Sequence, residues 1–528
     1  MKARILKICC LILFLSAVAL AQDVASFEKR VTVKKLPNGM TVIVCERPEA
    51  PVFSFFTLVD AGSAQDPLLA TGLAHMFEHM AFKGTDKIGT TDYAAEKPAL
   101  QKVETAYAAY VAERDKTVGQ DPAKLKQLEK NWKDATDEAN KFVRPNEFGK
   151  IVEQNGGEGM NASTSHDETE YHYSMPENRL ELWAYLESER FLHPVMREFY
   201  KERNVVIEER RMRTDSNPFG RLLEQFTEEA FAAHPYHRPG VGWMSDLNHF
   251  SATDAQKFFD TYYVPSNMVI AVAGDLKPSQ AMPILEKYFG RLPTRPHPDE
   301  ITTTEPPQNS ERRVVLTERS QPIYIEGYHR PDYRSKDDAV FDAISDLMSE
   351  GRTSRLYRSL VRDKKIASFS EGLTGYPGVK YPHLFAFIAV PLPGHTPQEM
   401  GDAIHGEIDR LKKEDISDEE LKMIRTRSKA NLIRGLADNE GLATQLATYQ
   451  TRYGDWRELF RSVDRIDQVT KADIRRVANE VFVDTNRTVG ILQTNSGSGD
   501  GGQPSHRSGD SPGEGSGDQG SGEQGGAQ

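Results

Sequence analysis

The sequence predicts an α+β protein built from two homologous domains. Three observations carry that reading. Short apolar runs bounded by turn signals alternate with segments of helical spacing. The two halves also repeat each other. At an offset of 219, Leu247 meets Ile466, Tyr263 meets Phe482, Asn267 meets Asn486 and Val272 meets Ile491. At an offset of 267, GLAHMFEHMAFKG (72–84) meets AVFDAISDLMSEG (339–351). Two copies of one α+β unit explain both offsets, with an insertion in the first copy explaining their difference. Finally, residues 293–311 are rich in Pro and Thr and carry no periodicity, as a linker between the copies should be.

The elements follow in order. Lys2, Arg4 and Lys7 precede the apolar run ICCLILFLSAVALA, and Ala19 and Ala21 form an A-x-A pattern. Residues 1–21 therefore read as a secretory signal peptide, shorter than a membrane-spanning helix requires. Residues 27–292 form the first domain. It opens with strands on either side of an Asn38-Gly39 hairpin turn, then a third strand over 52–62. Thr71 to Phe82 is apolar at helical spacing and meets a stop at Gly84. Residues 97–145 have a different texture, rich in Ala, Lys, Glu and Gln. Val103, Tyr107, Tyr110 and Val111 fall on one stripe, Asp121-Pro122 interrupts, and Leu125, Leu128 and Trp132 continue. This predicts an inserted helical hairpin that must lean on the body. Residues 312–494 repeat the unit, and 495–528 form a Gly/Ser-rich tail with nothing to bury.

Composition limits function. Over 528 residues the formal charge is −12, which argues against a phosphate backbone as partner. Three Cys, two of them in the signal segment, cannot build a disulfide scaffold, and Cys45 reads as a core residue. After signal cleavage there is no apolar stretch long enough to span a membrane. The expected location is across the inner membrane, in the periplasm.

The strongest chemical signal is His75-Met76-Phe77-Glu78-His79. On a helix, His75 and His79 lie about 40° apart, and Glu78 stands beside them. Two imidazoles at i and i+4 can hold one Zn²⁺, and the carboxylate can take a proton from an attacking water. An isolated surface His pair is the bland alternative. Leu73, Met76, Phe77, Met80 and Phe82 make the helix a buried one, where such groups need partners or a metal. The third ligand is sought in YKERNVVIEERRM (200–212). Glu202 and Glu209 share a face there, and spacing leaves the choice between them open.

HMFEHMAFKGT (75–85) and RNVVIEE (203–209) together resemble the inverted-zincin peptidases of the insulinase/pitrilysin family. That family includes mitochondrial processing peptidase and short two-domain bacterial peptidases. The resemblance runs from about residue 30 to 494, through NGMTVIV (38–44), GMNASTSHDETEYHY (159–173), HPYHRPGVG (234–242) and SEGRTSRLYRSLV (349–361). It implies domains with mixed, mostly antiparallel sheets packed with helices, forming half of a clamshell chamber. It implies one zinc per chain on His75, His79 and Glu209, Glu78 as general base, and Glu202 steadying a ligand. Asn161, Ala162 and Ser163 would lie in the edge strand that takes up a peptide backbone, with Asn161 and Ala162 facing the scissile region. Two features depart from the family. The 97–145 insertion lengthens the gap between His79 and Glu209. The family's Arg and Tyr, seven apart, correspond here to Arg362 and Phe369, and Phe cannot donate to an oxyanion.

Asp342, Ser345 and Asp346 replace the metal motif in the second copy. The active form implied is therefore a homodimer, or a heterodimer with a metal-less paralogue carrying the Arg/Tyr pair. The function implied is a zinc endopeptidase acting on peptides or unfolded polypeptides. The rival reading is a non-catalytic peptide-binding or scaffold subunit, which the intact His75, Glu78 and His79 disfavour.

Overall fold

The computed structural model describes residues 27–495. The segment read as a signal peptide, and all but the first residue of the expected tail, lie outside them. Among the described residues no helix is long and apolar enough to cross a membrane.

Two sheets organise the chain. The first contains β1 (Val31–Lys35), β2 (Thr41–Glu46), β3 (Val52–Val59), β4 (Glu158–Thr164), β5 (Thr169–Pro176) and β6 (Met268–Gly274), in the order β1-β2-β6-β3-β5-β4. The second contains β7 (Arg312–Glu318), β8 (Ile323–Arg330), β9 (Ala367–Tyr376), β10 (His383–Pro391) and β11 (Arg487–Thr494), in the order β7-β11-β8-β10-β9. In each sheet one pair is parallel, β2 with β6 and β7 with β11. The remaining pairings are antiparallel. Leaving β1 aside, the two orders superimpose strand for strand. Both sheets end on an open edge, β4 in one and β9 in the other.

The helices that matter below are α1 (Leu73–Met80), α2 (Tyr93–Arg114), α3 (Pro122–Asn140), α4 (Phe199–Arg210), α5 (Pro218–Ala230), α6 (Asp338–Ser349) and α7 (Asn439–Tyr453). Asp92 caps α2, and Asp121 caps α3 with Pro122 at its first position. These two helices pack side by side.

β2, β3 and β6 are apolar almost throughout because both faces are covered. Val42, Val44, Phe53, Phe55, Ile270 and Val272 join the core that contains α1. The alternate residues Ile43, Cys45, Phe56, Leu58, Val269 and Ala271 face the other way. They meet Leu442 and Leu446 of α7, and Trp456. The first sheet is thus closed by a helix from the second half of the chain. The reverse also holds. Leu222, Phe226 and Ala230 of α5 pack on Ile325, Leu384 and Leu492 of the second sheet. Two glycines make room for this contact. A Cβ on Gly327 would lie 2.9 Å from the Phe226 ring, and one on Gly490 would lie 2.7 Å from Ile325 and 3.2 Å from Phe226. The 219-residue offset carries α5 onto α7, so the two copies exchange equivalent helices.

The exchange is fastened by polar contacts. Lys380 pairs with Asp60 at 2.9 Å, and Asp167 accepts from the backbone nitrogens of Val379 (2.6 Å) and Lys380 (3.0 Å). The connecting segment is itself pinned. Glu305 accepts from the backbone nitrogens of Ala232 (2.7 Å), Ala233 (2.8 Å) and His234 (2.9 Å).

Shared cores should make the halves interdependent. Phe226→Ala should cost about 3–5 kcal/mol and Leu446→Ala about 2–5 kcal/mol. Hydrogen exchange under rising urea should show both sheets losing protection together in each variant. Separate loss of one sheet would contradict the exchange.

Candidate metal site

α1 begins where Asp66, fully buried, accepts from the backbone nitrogens of Gly72 (2.6 Å) and Ala74 (2.9 Å). This satisfies two donors that a helix start leaves open. Gly72 stands at φ +93°, and a Cβ there would lie 2.5 Å from the Val241 carbonyl oxygen. The start of the helix is therefore tightly determined. Leu73, Met76, Phe77 and Met80 anchor its inner side in the core, while Glu78 and His79 stay half-buried.

α4 brings in the acids. His75 Nε2 lies 3.5 Å from one Glu209 oxygen, and His79 Nε2 lies 3.5 Å from the other. One ligand atom from each of the three residues falls within 4.8 Å of the others. Ligands about 2.1 Å from a tetrahedral zinc stand roughly 3.4 Å apart, and each imidazole lies about that far from one of the two Glu209 oxygens. Glu209 Oε2 is buried with no hydrogen-bond partner, as is His75 Nδ1. A carboxylate with one unsatisfied oxygen, its two oxygens turned one to each imidazole, is what a cation would complete.

Glu202, the other candidate ligand, takes a different place. One oxygen lies 3.7 Å from His79 Nδ1, the nitrogen turned away from Glu209, and the other pairs with Lys83 at 2.6 Å. It stands behind the imidazole, the place a carboxylate takes beside a metal-bound histidine.

Electrostatics separate the two rings. Burial holds His75 down at about 3, with His79 and Arg213 acting in the same direction. Burial also pulls His79 down, but the Glu202 and Glu209 carboxylates beside it outweigh that and raise the ring above its ordinary value. Burial pushes Glu78 up from the usual carboxylate range, against a hydrogen bond from Thr164 and the charge of His79.

The edge strand corrects one expectation. Asn161 pairs in register with His172, and Ala162 with Tyr171. Met160 and Ala162 pack against the core containing α1. Strand pleating therefore sends Asn161 and Ser163 to the opposite sheet face, and only Ala162 of the three faces the metal helix. Ser163 donates to Glu170 at 2.7 Å.

Arg362 stands outside the constellation, exposed and paired with adjacent Asp363 at 2.7 Å. Phe369 is 44% exposed on β9. In the second copy, α6 places Asp346 against Arg427 at 3.1 Å and Ser345 against the Gly372 carbonyl at 3.1 Å. Burial, reinforced by Asp338, pushes Asp342 up to about 7. Among the described residues, one group of side chains can hold a metal ion.

The sequence reading missed three contributors: Thr164, Lys83 and Arg213. Lys83 follows His79 by four residues, and Arg213 follows Glu209 by four, reaching it at 3.4 Å. Helical spacing from the chosen ligands was the available signal for both.

The family model described as Insulinase (Peptidase family M16) matches residues 41–118, and that for the Peptidase M16 inactive domain matches 249–428. The chain is 29% identical over 498 residues to the zinc protease PqqE of Helicobacter pylori, covering 92% of this chain and 96% of that protein. It is 22% identical to a probable mitochondrial-processing peptidase subunit beta of Arabidopsis thaliana, covering 88% of this chain and 78% of that one. Among solved structures, a protease from Helicobacter pylori superimposes with a TM-score of 0.73 at 28% identity, covering 88% of this chain and 99% of that one. The periplasmic protease PqqL from Escherichia coli gives 0.64 at 18% identity, over 88% of this chain and 47% of that one, and so shows a shared fold.

Glu202→Gln should keep the His75, His79 and Glu209 set but weaken zinc affinity by about 10–100-fold. Competition against a chromophoric chelator measures this. Unchanged affinity would remove Glu202 from the site.

Proposed function

Since the chain belongs to the insulinase family (peptidase family M16), we propose that it is a zinc-dependent endopeptidase cleaving peptides or unfolded polypeptides in a closed chamber. The observation that supports this best is the 3.5 Å spacing of Glu209 from both imidazoles, with Glu78 on the same helix. His75, His79 and Glu209 would hold the ion. When bound, zinc supplies a Lewis acid to the scissile carbonyl.

The remaining work falls to this chain's own groups. The Glu78 carboxylate takes the proton of the attacking water as the new C–O bond forms. It then returns that proton to the amide nitrogen as the C–N bond breaks. Its upward shift brings its pKa nearer a working pH, which suits a group that must both accept and donate. The open edge of β4 runs beside α1, and its free main-chain groups would take up the peptide backbone as an added strand. Such pairing reads length and extension rather than sequence. Ala162, on the metal side, keeps the approach unobstructed.

The active assembly in this reading has two chains, a homodimer or a pair with a metal-less paralogue. Two points support it. This chain spans about half of PqqL, and its second copy offers Asp342, Ser345 and Asp346 in place of the ligands. Phe369 offers no hydrogen-bond donor to a scissile carbonyl, which a partner chain would supply in this reading. The basic start, apolar run and A-x-A pattern of residues 1–21 support export to the periplasm.

Glu78→Gln should retain zinc while kcat/KM on a quenched peptide falls by about 10²–10⁴-fold. Glu209→Gln should lose both metal and activity. Metal analysis beside the peptide assay separates the two, and full hydrolysis by Glu78→Gln would sink the mechanism.

A further inference from the structure

We propose that the α2–α3 hairpin is a positioning brace that holds the two metal-bearing segments at a fixed separation. The proposal rests on the peptidase reading of the site. The hairpin supplies no ligand. It reaches both ligand segments from behind, at two separate places, one of them through Arg197.

The first place is the root of α2. Glu96, fully buried, accepts from Arg197 Nε and Nη2 at 2.8 Å each. The same guanidinium donates to the carbonyls of Lys83 (2.9 Å), Thr85 (2.9 Å) and Ile88 (3.0 Å). All of its N–H groups are thus engaged. Those carbonyls belong to the loop that leaves α1, four residues beyond His79. Gly84 and Gly89 make room for the guanidinium, since a Cβ on either would lie 3.0 Å from Nη1. Lys83, whose carbonyl is held here, is also the residue that pairs with Glu202.

The second place is the middle of α2. Tyr107 packs against Tyr200 with centroids 4.3 Å apart and rings tilted by 42°, and Trp132 of α3 closes on both, at 5.1 Å from Tyr107 and 5.2 Å from Tyr200. The Arg203 guanidinium lies over Tyr107 at 5.0 Å and Tyr200 at 4.9 Å. It also donates to the Tyr107 hydroxyl and to the Phe250 carbonyl. The Tyr200 hydroxyl donates to Glu104 at 2.6 Å. Tyr200 and Arg203 sit on α4, and at about 100° per residue Tyr200 points opposite to Glu202 and Glu209.

The hairpin therefore grips the back of the helix whose front carries the acids. It also grips the loop behind the helix that carries the histidines. A hairpin that only enlarged the surface would not need a fully buried ion pair at its root, because such a pair contributes little net stability. It does fix geometry. Ligand distances matter to within about 0.2 Å for a metal site, so a support that prevents rocking of α4 against α1 acts directly on affinity.

Tyr107, Trp132, Arg197 and Arg203 are positioning residues in this view. The test uses the full chain, stripped of metal, with Tyr107→Ala, Trp132→Phe and Leu446→Ala. Zinc affinity is read by chelator competition, and hydrogen exchange is read over residues 199–210 without metal. Tyr107→Ala should weaken zinc binding about tenfold and speed exchange in that segment. Trp132→Phe, a milder change should Tyr107→Ala not accumulate, should move both readouts in the same direction by a smaller factor. Leu446→Ala should lower the melting temperature yet leave zinc affinity at the wild-type value. Wild-type zinc affinity and exchange in both hairpin variants would overturn the brace and leave the metal reading standing. Loss of zinc affinity in Leu446→Ala equal to that in Tyr107→Ala would also overturn it, by reducing the effect to general instability. Failure of the wild type itself to bind zinc would overturn the metal reading, and the brace with it.

Discussion

Each sheet in this molecule needs a second cover, and each obtains it from the other copy. Apolar strands such as β2, β3 and β6 cannot leave one face in water without exposing Ile43, Phe56, Leu58 and Val269. α7 covers that face, and α5 covers the matching face of the second sheet. The consequence reaches the metal site through the chain. α4 ends at Arg210, which binds Glu224 of α5 through two contacts at 2.8 and 2.9 Å. The helix that carries Glu209 is thus tied to one seated on the opposite sheet. The position of the third acid depends on both halves, although all three candidate ligands come from one.

The site itself is a balance between burial and charge. Burial alone would empty both rings of protons and favour the neutral form of Glu78 and Glu202. The structure instead differentiates its members. His75 sits deepest and stays neutral, while His79 gains support from Glu202. Against burial, His79 and Lys83 together hold the Glu202 carboxyl below its ordinary value. A neutral, unprotonated imidazole is what metal ligation requires at His75. At His79 an outer carboxylate stands 3.7 Å behind the ring nitrogen turned away from Glu209.

Much of this was legible in the sequence, and the limits have physical causes. The His75–His79 helix was readable because its inner residues repeat at helical spacing, although it stops at Met80, four residues before the Gly84 expected to end it. The hairpin at Asn38-Gly39 was readable from turn chemistry; Gly39 indeed stands at φ +99°. The choice between Glu202 and Glu209 was not readable from spacing, since both lie on one face and differ only in height along α4. Assigning Asn161 and Ala162 to the same side ignored the pleat, which separates neighbours whatever their role. The helix exchange left a trace in the doubly apolar strands. That trace says both faces are buried, yet it cannot say which distant helix buries them. The brace was half visible. Val103 and Tyr107 marked the inner stripe of α2, but Tyr200 and Arg203 on the receiving helix carried no periodic signal of their own.

The exchanged helices also change what counts as a separable part of this chain. The segment over 293–311 joins two sequence repeats, but it does not join two bodies. A protease cutting there would yield two polypeptides that remain interleaved, each still lending a helix to the other's sheet, with Glu305 holding one cut end in place. The product would run as two bands after denaturation and as one particle before it. Covalent continuity and structural unity are set by different elements here, so the molecule has the topology of a swapped dimer written as one reading frame.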